Sequence, residues 1–370
     1  MKAYQIALPG PTEYDPRVLE QLSRPLLPHY GDEWLPIYRD IIEKMQRIYQ
    51  TKNTVFVLPS SGSGATDAVF TSLGEKKGLV LSNGTFGQRL FDIASRHLQR
   101  SELLEAEQGQ PLDPNRVEQA LKTGTFDLLA VVHGETSTGM LNPLQPFSEL
   151  CRRYGLLLVV DAVSTLGGVE LDVDAQAIDF CISASQKALG APPGLATVSV
   201  SERAWQSMPP EEGIKSWYLN LRTWQRYSVE WGDWHPYPVT LPVHLLFALQ
   251  KAAELILADG LQERWRLHRS TAEYVQRQLE QVGIFSFVTD PALRLPTVTA
   301  ATLPEGLSSQ ELQRYLKEEH GILVAGGVGK LQRQIFRIGQ MGYSARTELV
   351  ERVVEAVKDF MRVHQASGVR

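Results

Sequence analysis

One lysine stands in a setting typical of a reactive amine rather than of a solvated surface charge. Lys187 follows an apolar stretch and small polar residues, and it precedes a sharp turn through Pro192, Pro193 and Gly194. Apolar and cationic neighbours lower the pKa of a lysine amine, which lets the amine form a Schiff base with an aldehyde cofactor. The setting therefore favours covalent chemistry at Lys187.

A carboxylate precedes this lysine by 26 residues, at the end of a buried strand pattern. The apolar run 156–160 has the composition of a parallel strand covered on both faces, and Asp161 ends it. Ligands of open α/β sheets bind just outside the carboxyl ends of the strands. Pyridoxal phosphate needs a Schiff-base lysine and an acidic partner for its pyridinium nitrogen. A lone aspartate here would cap a turn, but together Asp161 and Lys187 predict a site for this cofactor.

A turn rich in Gly and Ser follows the strand-like residues 54–58 and opens a helical pattern. The turn spans residues 60–68 and reads Ser-Ser-Gly-Ser-Gly-Ala-Thr-Asp-Ala. Glycines let the backbone approach an anion, and the first turn of a helix offers free N–H groups to it. An ordinary turn has the same composition, so the segment alone indicates a phosphate cradle only weakly.

An aromatic residue lies between two glycines after the next strand pattern, 78–82. Residues 83–89 read Asn-Gly-Thr-Phe-Gly-Gln-Arg. The ring of Phe86 is free to lie flat against a ligand ring, where stacking is favourable. The alternative is an ordinary core phenylalanine.

A third strand pattern ends in a polar turn within residues 128–139. Its hydroxyl groups can donate to a phenolic oxygen or cap a turn. His133 and Glu135 invite a general acid–base interpretation. We interpret them as scaffold, because Lys187 already serves as the proton carrier.

A single arginine interrupts the apolar strand pattern 334–339 near the end of the chain. A buried arginine needs a partner, and the fork of a guanidinium matches a carboxylate. Arg337 is therefore a candidate for binding a substrate carboxylate, and an internal salt bridge is the alternative.

These motifs together resemble the class V branch of fold-type I pyridoxal-phosphate enzymes, specifically the alanine–glyoxylate and serine–pyruvate aminotransferases. The resemblance runs from residues 8–12 (Leu-Pro-Gly-Pro-Thr) to 337–339 (Arg-Ile-Gly), nearly the whole chain. It implies ping-pong transamination between a small L-amino acid, alanine or serine, and a 2-oxo acid, glyoxylate or pyruvate. It also implies an α/β fold with a mostly parallel central sheet, helices on both faces and a smaller C-terminal α/β domain.

The resemblance assigns roles to individual residues. Lys187 and Asp161 are expected to be catalytic, and Arg337, with Gly10, to bind the substrate. The residues expected to hold pyridoxal phosphate are Ser63, Gly64, Ala65, Phe86, Thr136, Asp161, Val163, Gln186, Lys187, Tyr237 and Thr240. Relatives often carry His where Ala65 stands, so any contact there is expected from its backbone.

Within this set, the resemblance implies that Phe86 and Val163 contact opposite faces of the pyridine ring and that Thr136 lies near the ring hydroxyl. Gln186 is expected to contact the phosphate. Tyr237 and Thr240 are expected to reach the cofactor phosphate of the neighbouring subunit. The enzyme would then be a homodimer with composite active sites.

Strand-like and helical patterns alternate along the chain, which is the signature of βαβ units. The strand-like runs are 54–58, 78–82, 128–133, 156–161, 179–182 and 196–200. The helical stretch 243–258 ends at a Gly that suits a C-cap and a domain boundary. We therefore predict an N-terminal arm at 1–15, a large cofactor-binding domain at 16–260 and a small domain at 261–370. Five of the seven tryptophans lie within 205–234. Such a cluster could belong to the core, a dimer interface or the wall of the substrate entrance, and we favour the interface, where aromatic residues are enriched.

The composition excludes several classes of protein. A net charge of −5 and the lack of a basic run argue against nucleic-acid binding. Two cysteines imply no disulfide framework and a reducing compartment. The apolar stretch among the first residues is too short for a signal peptide, and no segment approaches the ~20 apolar residues of a membrane helix. We therefore expect a cytoplasmic enzyme.

Other enzyme classes are excluded by single positions. A cysteine desulfurase needs a nucleophilic cysteine after the lysine, but Cys151 and Cys181 both precede Lys187. The glycine-rich residues 326–330 are followed by Leu331, where a P-loop needs Ser or Thr to bind magnesium. The zinc-hydrolase pattern H-E-x-x-H is absent from the sequence.

Two alternatives stay open at this point. Ureidoglycine–glyoxylate aminotransferases share the run His-Gly-Glu-Thr-Ser-Thr-Gly, but they carry Gln where His29 stands and Asn where Tyr237 stands. A non-catalytic subunit with an aminotransferase fold is also conceivable, since fold does not fix function, although Arg337 and the catalytic pair are retained. Tyr30 and His29 are candidate members of the substrate pocket.

Overall fold

The computed structural model describes residues 3–366; residues 1–2 and 367–370, at the ends of the first and last predicted domains, lie outside that part. Strands and helices alternate along the chain. The described strands are β1 Gln5–Ile6, β2 Thr54–Leu58, β3 Lys77–Ser82, β4 Arg100–Glu105, β5 Leu128–Val132, β6 Gly134–Glu135, β7 Met140–Leu141, β8 Leu157–Asp161, β9 Phe180–Ala184, β10 Ala196–Val200, β11 Phe285–Ser286, β12 Val298–Thr302, β13 Ile322–Leu323, β14 Ala325–Gly326 and β15 Ile335–Gly339. The helices are α1 Pro16–Leu19, α2 Leu35–Tyr49, α3 Gly62–Leu73, α4 Thr85–His97, α5 Pro114–Thr123, α6 Gln145–Tyr154, α7 Glu202–Ser207, α8 Leu221–Glu230, α9 Val243–Asp259, α10 Leu261–Glu280, α11 Ser309–Glu319 and α12 Thr347–Ala366.

A seven-stranded central sheet has the order β2-β10-β9-β8-β5-β3-β4. The pairs from β9 to β4 are parallel, and β10 runs antiparallel to both of its neighbours. The predicted mostly parallel sheet is therefore confirmed. All residues of β5, β9 and β10 are buried, because helices cover both faces of the sheet.

The carboxyl ends of the parallel strands bring the predicted motifs to one edge. Strands β3, β5 and β8 are neighbours or next neighbours in this sheet, and their last residues are Ser82, Val132 and Asp161. The polar segments that follow them in sequence therefore begin side by side. This edge is where the geometry of an open α/β sheet places a ligand.

A second sheet lies in the C-terminal part of the chain, with the antiparallel order β11-β12-β15-β14. It has its own apolar core, which includes Val275, Leu312, Phe336 and Phe360. Strand β1 pairs in parallel with β13, so the N-terminal residues pack with this C-terminal part rather than with the central sheet.

Helices α9 and α10 are separated by Gly260, at the predicted end of the large domain. Gly260 has φ of 82°, a left-handed conformation that glycine adopts without steric cost. The break between the helices therefore needs glycine. The limits of the two domains remain a prediction. Among residues 3–366, no helix is apolar over a length sufficient to cross a bilayer.

Candidate active site

A cavity of about 310 Å³ opens at the carboxyl edge of the central sheet and contains Lys187. It is lined by Ser61, Gly62, Ser63, Thr66, Phe86, Arg89, Leu90, Ile93, Asp161, Val163, Gln186 and Lys187. Six of these residues belong to the set predicted to hold a cofactor. They are Ser63, Phe86, Asp161, Val163, Gln186 and Lys187. Residues more than 120 positions apart in sequence thus share one cavity.

Lys187 lies in the turn that follows β9, and its amine is largely shielded from solvent. Burial, together with the positive charges of Arg337 and Arg89, lowers the pKa of the Lys187 amine to about 8, although Asp161 opposes the fall. The amine donates a hydrogen bond of 2.5 Å to the carbonyl of Pro9. Near neutral pH, an appreciable fraction of this amine is therefore uncharged and nucleophilic.

Asp161 ends β8 inside the same cavity. Its Oδ1 accepts a hydrogen bond of 2.9 Å from the N–H of Val163, which fixes the carboxylate and the Val163 side chain relative to each other. Burial raises the pKa of Asp161, and the Val163 amide and the charges of Lys187 and Arg89 oppose that rise. A cationic group in the cavity would favour the charged carboxylate further.

The N-terminus of α3 forms another wall of the cavity. The N–H groups of Gly64 and Ala65 donate to the hydroxyl and carbonyl of Ser61, at 3.3 and 3.0 Å. The N–H groups of Gly62 and Ser63 have no partner among the described residues. The N–H groups of Ser63 and Gly62 are thus available for the expected contact with a phosphate, whereas the Ala65 amide is already bonded within the helix.

The shape of this wall fits a phosphate group. A Cβ at position 62 would lie 2.9 Å from a methyl of Val163, and one at position 64 would overlap the hydroxyl of Ser60. Glycine therefore allows the helix end to approach the cavity closely. The side-chain carbonyl oxygen of Gln186 is buried without a partner in the described part of the chain. Free amides and an orphaned polar side chain are features of a site for a polar ligand.

Phe86 lies in the first turn of α4 and is half-buried at the cavity. The guanidinium of Arg89 lies 4.9 Å from the centre of its ring. Arg89 was not among the predicted site residues. The sequence does contain a signal for it, because residues three positions apart on a helix lie on the same face, so Arg89 faces the cavity together with Phe86.

Arg337 is buried on β15, with only 7% of its surface exposed. Its Nε donates to the Gly326 carbonyl at 2.8 Å, and its Nη1 donates to the Thr136 carbonyl at 3.0 Å. In residues 3–366 its contacts are carbonyl oxygens rather than a carboxylate, so the internal salt bridge considered above is not formed. Burial lowers the pKa of this guanidinium, and its influence on Lys187 shows that the two charges are close. Its charge is available for a substrate carboxylate.

Thr136 is buried and contacts Arg337 through its carbonyl oxygen, but it does not line the cavity of Lys187. Gly10, by contrast, lies directly against the lysine. A Cβ at position 10 would overlap the end of the Lys187 side chain, and Gly10 has φ of 118°. The segment is fixed by the N–H of Thr12, which donates to the Gln186 carbonyl at 3.1 Å. Position 10 therefore requires glycine.

Tyr237 and Thr240 do not line the cavity of their own chain. Tyr237 is buried, its hydroxyl donates to the His29 carbonyl, and its ring lies 4.6 Å from that of His235. Thr240 is exposed. Their predicted contact with a neighbouring subunit's cofactor stays a prediction.

The tryptophan-rich stretch 205–234 divides into core and surface residues. Trp205 and Trp224 are buried and both contact the ring of Phe56. For these two residues the interface prediction is wrong, because their rings, on α7 and α8, pack against Phe56 of β2 in the core. Trp217 and Trp234 are exposed by 53% and 46%.

Comparison with known proteins agrees with this geometry. The model of the class V aminotransferase family matches residues 27–346. The chain is 35% identical over 358 residues to an alanine–glyoxylate aminotransferase of Mus musculus, covering 96% of this chain and 86% of the mouse protein. It is 31% identical over 383 residues to an (S)-ureidoglycine–glyoxylate transaminase of Bacillus subtilis, covering 98% and 91%. An alanine–glyoxylate aminotransferase structure from Nostoc sp. superposes with a TM-score of 0.93 at 32% identity, covering 98% and 96%.

Proposed function

This chain belongs to the class V aminotransferases, and from that premise we propose that it transfers an amino group between a small L-amino acid and a 2-oxo acid. The donor is alanine or serine, and the acceptor is glyoxylate or pyruvate. The reaction uses pyridoxal phosphate in a ping-pong sequence. The observation that supports this best is the shared cavity of Lys187 and Asp161, beside the unbonded amides of α3.

Pyridoxal phosphate is implied by the family, and the residues present fit it. Lys187 would hold the aldehyde carbon, and Asp161 would be the partner of the ring nitrogen. The N–H groups of Gly62 and Ser63 and the side-chain NH₂ group of Gln186 would donate to the phosphate. When bound, this cofactor supplies an electron sink for the carbon that loses a proton.

The chain's own residues then have distinct tasks. The low pKa of Lys187, about 8, keeps part of its amine uncharged, so the amine can form a covalent bond and later accept the substrate's α-proton at Nζ. The buried Asp161 carboxylate stabilises positive charge in the cavity. Arg337 binds the α-carboxylate of the substrate through its fork of donors.

Similarity to alanine–glyoxylate aminotransferases supports a small amino acid as the donor. The similarity to a ureidoglycine–glyoxylate transaminase makes that reaction the second candidate. His29 and Tyr237 argue against it, because their rings lie 6.0 Å apart here, at positions where ureidoglycine enzymes carry amide side chains. Intact Lys187, Asp161 and Arg337 argue against a non-catalytic subunit.

We also propose a homodimer in which Tyr237 and Thr240 complete the neighbouring subunit's phosphate site. Neither residue lines the cavity of its own chain, and Thr240 is exposed. Tyr237 is buried, so in the dimer its hydroxyl would exchange its bond to the His29 carbonyl for one to the partner's phosphate site. Sedimentation velocity of the purified protein tests this proposal. A monomer that still turns over at the full rate would refute it.

The function is tested by absorption spectroscopy of the protein loaded with pyridoxal phosphate. We expect a visible band that L-alanine or L-serine removes and that glyoxylate or pyruvate restores. Lys187→Ala should abolish turnover, whereas Lys330→Ala, at an exposed lysine, should leave it unchanged. Absence of the band, or unchanged turnover in Lys187→Ala, would overturn the proposed function.

A further inference from the structure

Glu135 is a buried carboxylate whose partners are backbone amides of a neighbouring helix and of its own turn. Its surface is 0% exposed. Oε2 accepts hydrogen bonds from the N–H groups of Phe86 and Gly87 at 3.0 and 2.9 Å. Oε1 accepts from the N–H of Ser137 at 3.0 Å and from the Ser137 hydroxyl at 2.5 Å. Burial raises the pKa of this carboxyl, and these hydrogen bonds oppose the rise.

These hydrogen bonds cap the N-terminus of α4. The first N–H groups of a helix have no partner within the helix, and Gly84 has no side chain to satisfy them. The N–H of Thr85 donates to the Ser137 hydroxyl at 2.9 Å, and the next two amides donate to Glu135. A Cβ at position 84 would overlap the side chains of Glu135 and Ser137. The cap is thus supplied by residues 48 to 52 positions later, and Gly84 leaves room for it.

The capped turn is the one that presents Phe86 to the cavity of Lys187. The backbone at Phe86 is fixed by its own N–H bond to Glu135 and by the bond of the following amide. A negative charge at a helix N-terminus also interacts favourably with the helix dipole. The position of the Phe86 ring therefore depends on the Glu135 carboxylate.

The same short segment also holds Arg337. The carbonyl of Thr136, the residue after Glu135, accepts the hydrogen bond from Arg337 Nη1 at 3.0 Å. The charge of Glu135 favours the protonated guanidinium and opposes the effect of burial on its pKa. Residues 135–137 therefore connect the aromatic wall of the cavity with the arginine beside it.

We propose that Glu135 is a positioning residue that keeps Phe86 against the cofactor ring and Arg337 oriented toward the substrate carboxylate. The inference rests on the proposed function, since the ring and the carboxylate are those of its cofactor and substrate. Glu135 itself contacts backbone amides and not the reacting atoms. Its effect is therefore expected in cofactor affinity, through Phe86, and in substrate affinity, through Arg337.

The test compares Glu135→Gln with a matched control, Asp179→Asn. Glutamine keeps the shape, but its NH₂ group must face either the two amides of α4 or the N–H of Ser137, so at least one buried N–H group loses its acceptor. We expect the dissociation constant of pyridoxal phosphate, measured by absorbance titration, to rise at least about tenfold. Asp179 is also a buried carboxylate that accepts a backbone N–H, that of Leu158, and it pairs with Arg203, but it lies just before the amino end of β9, away from the cavity. In Asp179→Asn the dissociation constant of pyridoxal phosphate should stay within about twofold of the wild-type value.

A double-mutant cycle separates positioning from a general loss of stability. In a Phe86→Ala background the ring is gone, so Glu135→Gln should change the dissociation constant by less than about threefold. An equal effect in both backgrounds would refute the inference. If Glu135→Gln does not fold, Glu135→Asp decides, because its side chain is one methylene shorter and draws the carboxylate away from the amides of Phe86 and Gly87. An unchanged dissociation constant in that variant would then refute the inference.

The two proposals fail in different ways. If the wild-type protein does not bind pyridoxal phosphate, both the proposed function and this inference are refuted. If the wild-type protein binds pyridoxal phosphate and a folded Glu135→Gln variant binds it with equal affinity, only the inference is refuted. In the expected result, the KM for L-alanine of Glu135→Gln also rises, through Arg337.

Discussion

Replacing Asp161 with Asn is expected to lower the pKa of the Lys187 amine in the cofactor-free protein. That pKa is lowered from 10.5 to about 8 by burial, by Arg337 and by Arg89, while Asp161 acts in the opposite direction. Without the carboxylate, only burial and the two arginines act on the pKa of Lys187, and all of them lower it. Arg337→Met removes one of those influences and should raise the pKa, so the two substitutions have opposite signs.

The magnitude follows from the two pKa values. At pH 7, a pKa of 10.5 leaves roughly 0.03% of a lysine amine uncharged, whereas a pKa of about 8 leaves about 9%, a gain of roughly 300-fold. An opposite charge close to a titrating group commonly changes its pKa by about one to three pH units. We therefore expect the midpoint in Asp161→Asn to fall by about one pH unit or more.

Competitive acylation with acetic anhydride measures the midpoint directly, because only the uncharged amine reacts. The extent of modification of the Lys187 peptide is determined by mass spectrometry across a range of pH. Asp179→Asn serves as control and should leave the midpoint unchanged, since Asp179 lies just before the amino end of β9, at the opposite end of the strand from Lys187. A midpoint that rises or stays constant in Asp161→Asn would refute the electrostatic explanation of the reactive lysine.

Three further predictions concern Arg337, Gly10 and His268. Arg337→Lys keeps the charge but loses the fork, so steady-state kinetics should show a KM for L-alanine raised at least about tenfold; an unchanged KM would remove Arg337 from the site. Gly10→Ala should lower the rate of cofactor loading, followed by absorbance, because the new Cβ overlaps Lys187; loading at the normal rate would show that the segment moves freely. Burial lowers the pKa of His268 from 6.5 to about 3, and its neutral ring accepts from the N–H of Gly342. The contribution of His268 to the free energy of unfolding is complete above pH 6.5 and is lost as the pH falls toward 3, because the unfolded chain takes up the proton first. Urea unfolding at several pH values should therefore show a free energy of unfolding that falls over this range. In His268→Gln this dependence on pH should be weaker.

The parts of the fold that depend on local pattern could be predicted from the sequence. The apolar runs before Asp161 and around 128–132 form neighbouring buried strands of the central sheet, since continuous apolar composition is what a strand covered on both faces requires. Lys187 and Asp161 could be placed together because the ends of parallel strands meet at one edge. The break at Gly260 followed from C-cap chemistry.

The parts that depend on long-range contacts could not be predicted in the same way. The pairing of β1 with β13 joins residues more than 300 positions apart, and no local pattern indicates it. The cap that Glu135 provides for α4 has the same character, because the acceptor and its donors lie on different segments. The buried position of Trp205 and Trp224 follows from the contact of α7 and α8 with Phe56 of β2, which the composition of the stretch alone does not reveal.

Identification of the lysine that carries the cofactor tests the central claim most directly. The protein is loaded with pyridoxal phosphate, treated with borohydride to fix the carbon–nitrogen bond, digested, and mapped by mass spectrometry. We predict that the modified peptide contains Lys187, and that loading in the presence of L-alanine lowers its yield. Modification confined to any other lysine, or a protein that retains no cofactor after reduction, would contradict the account.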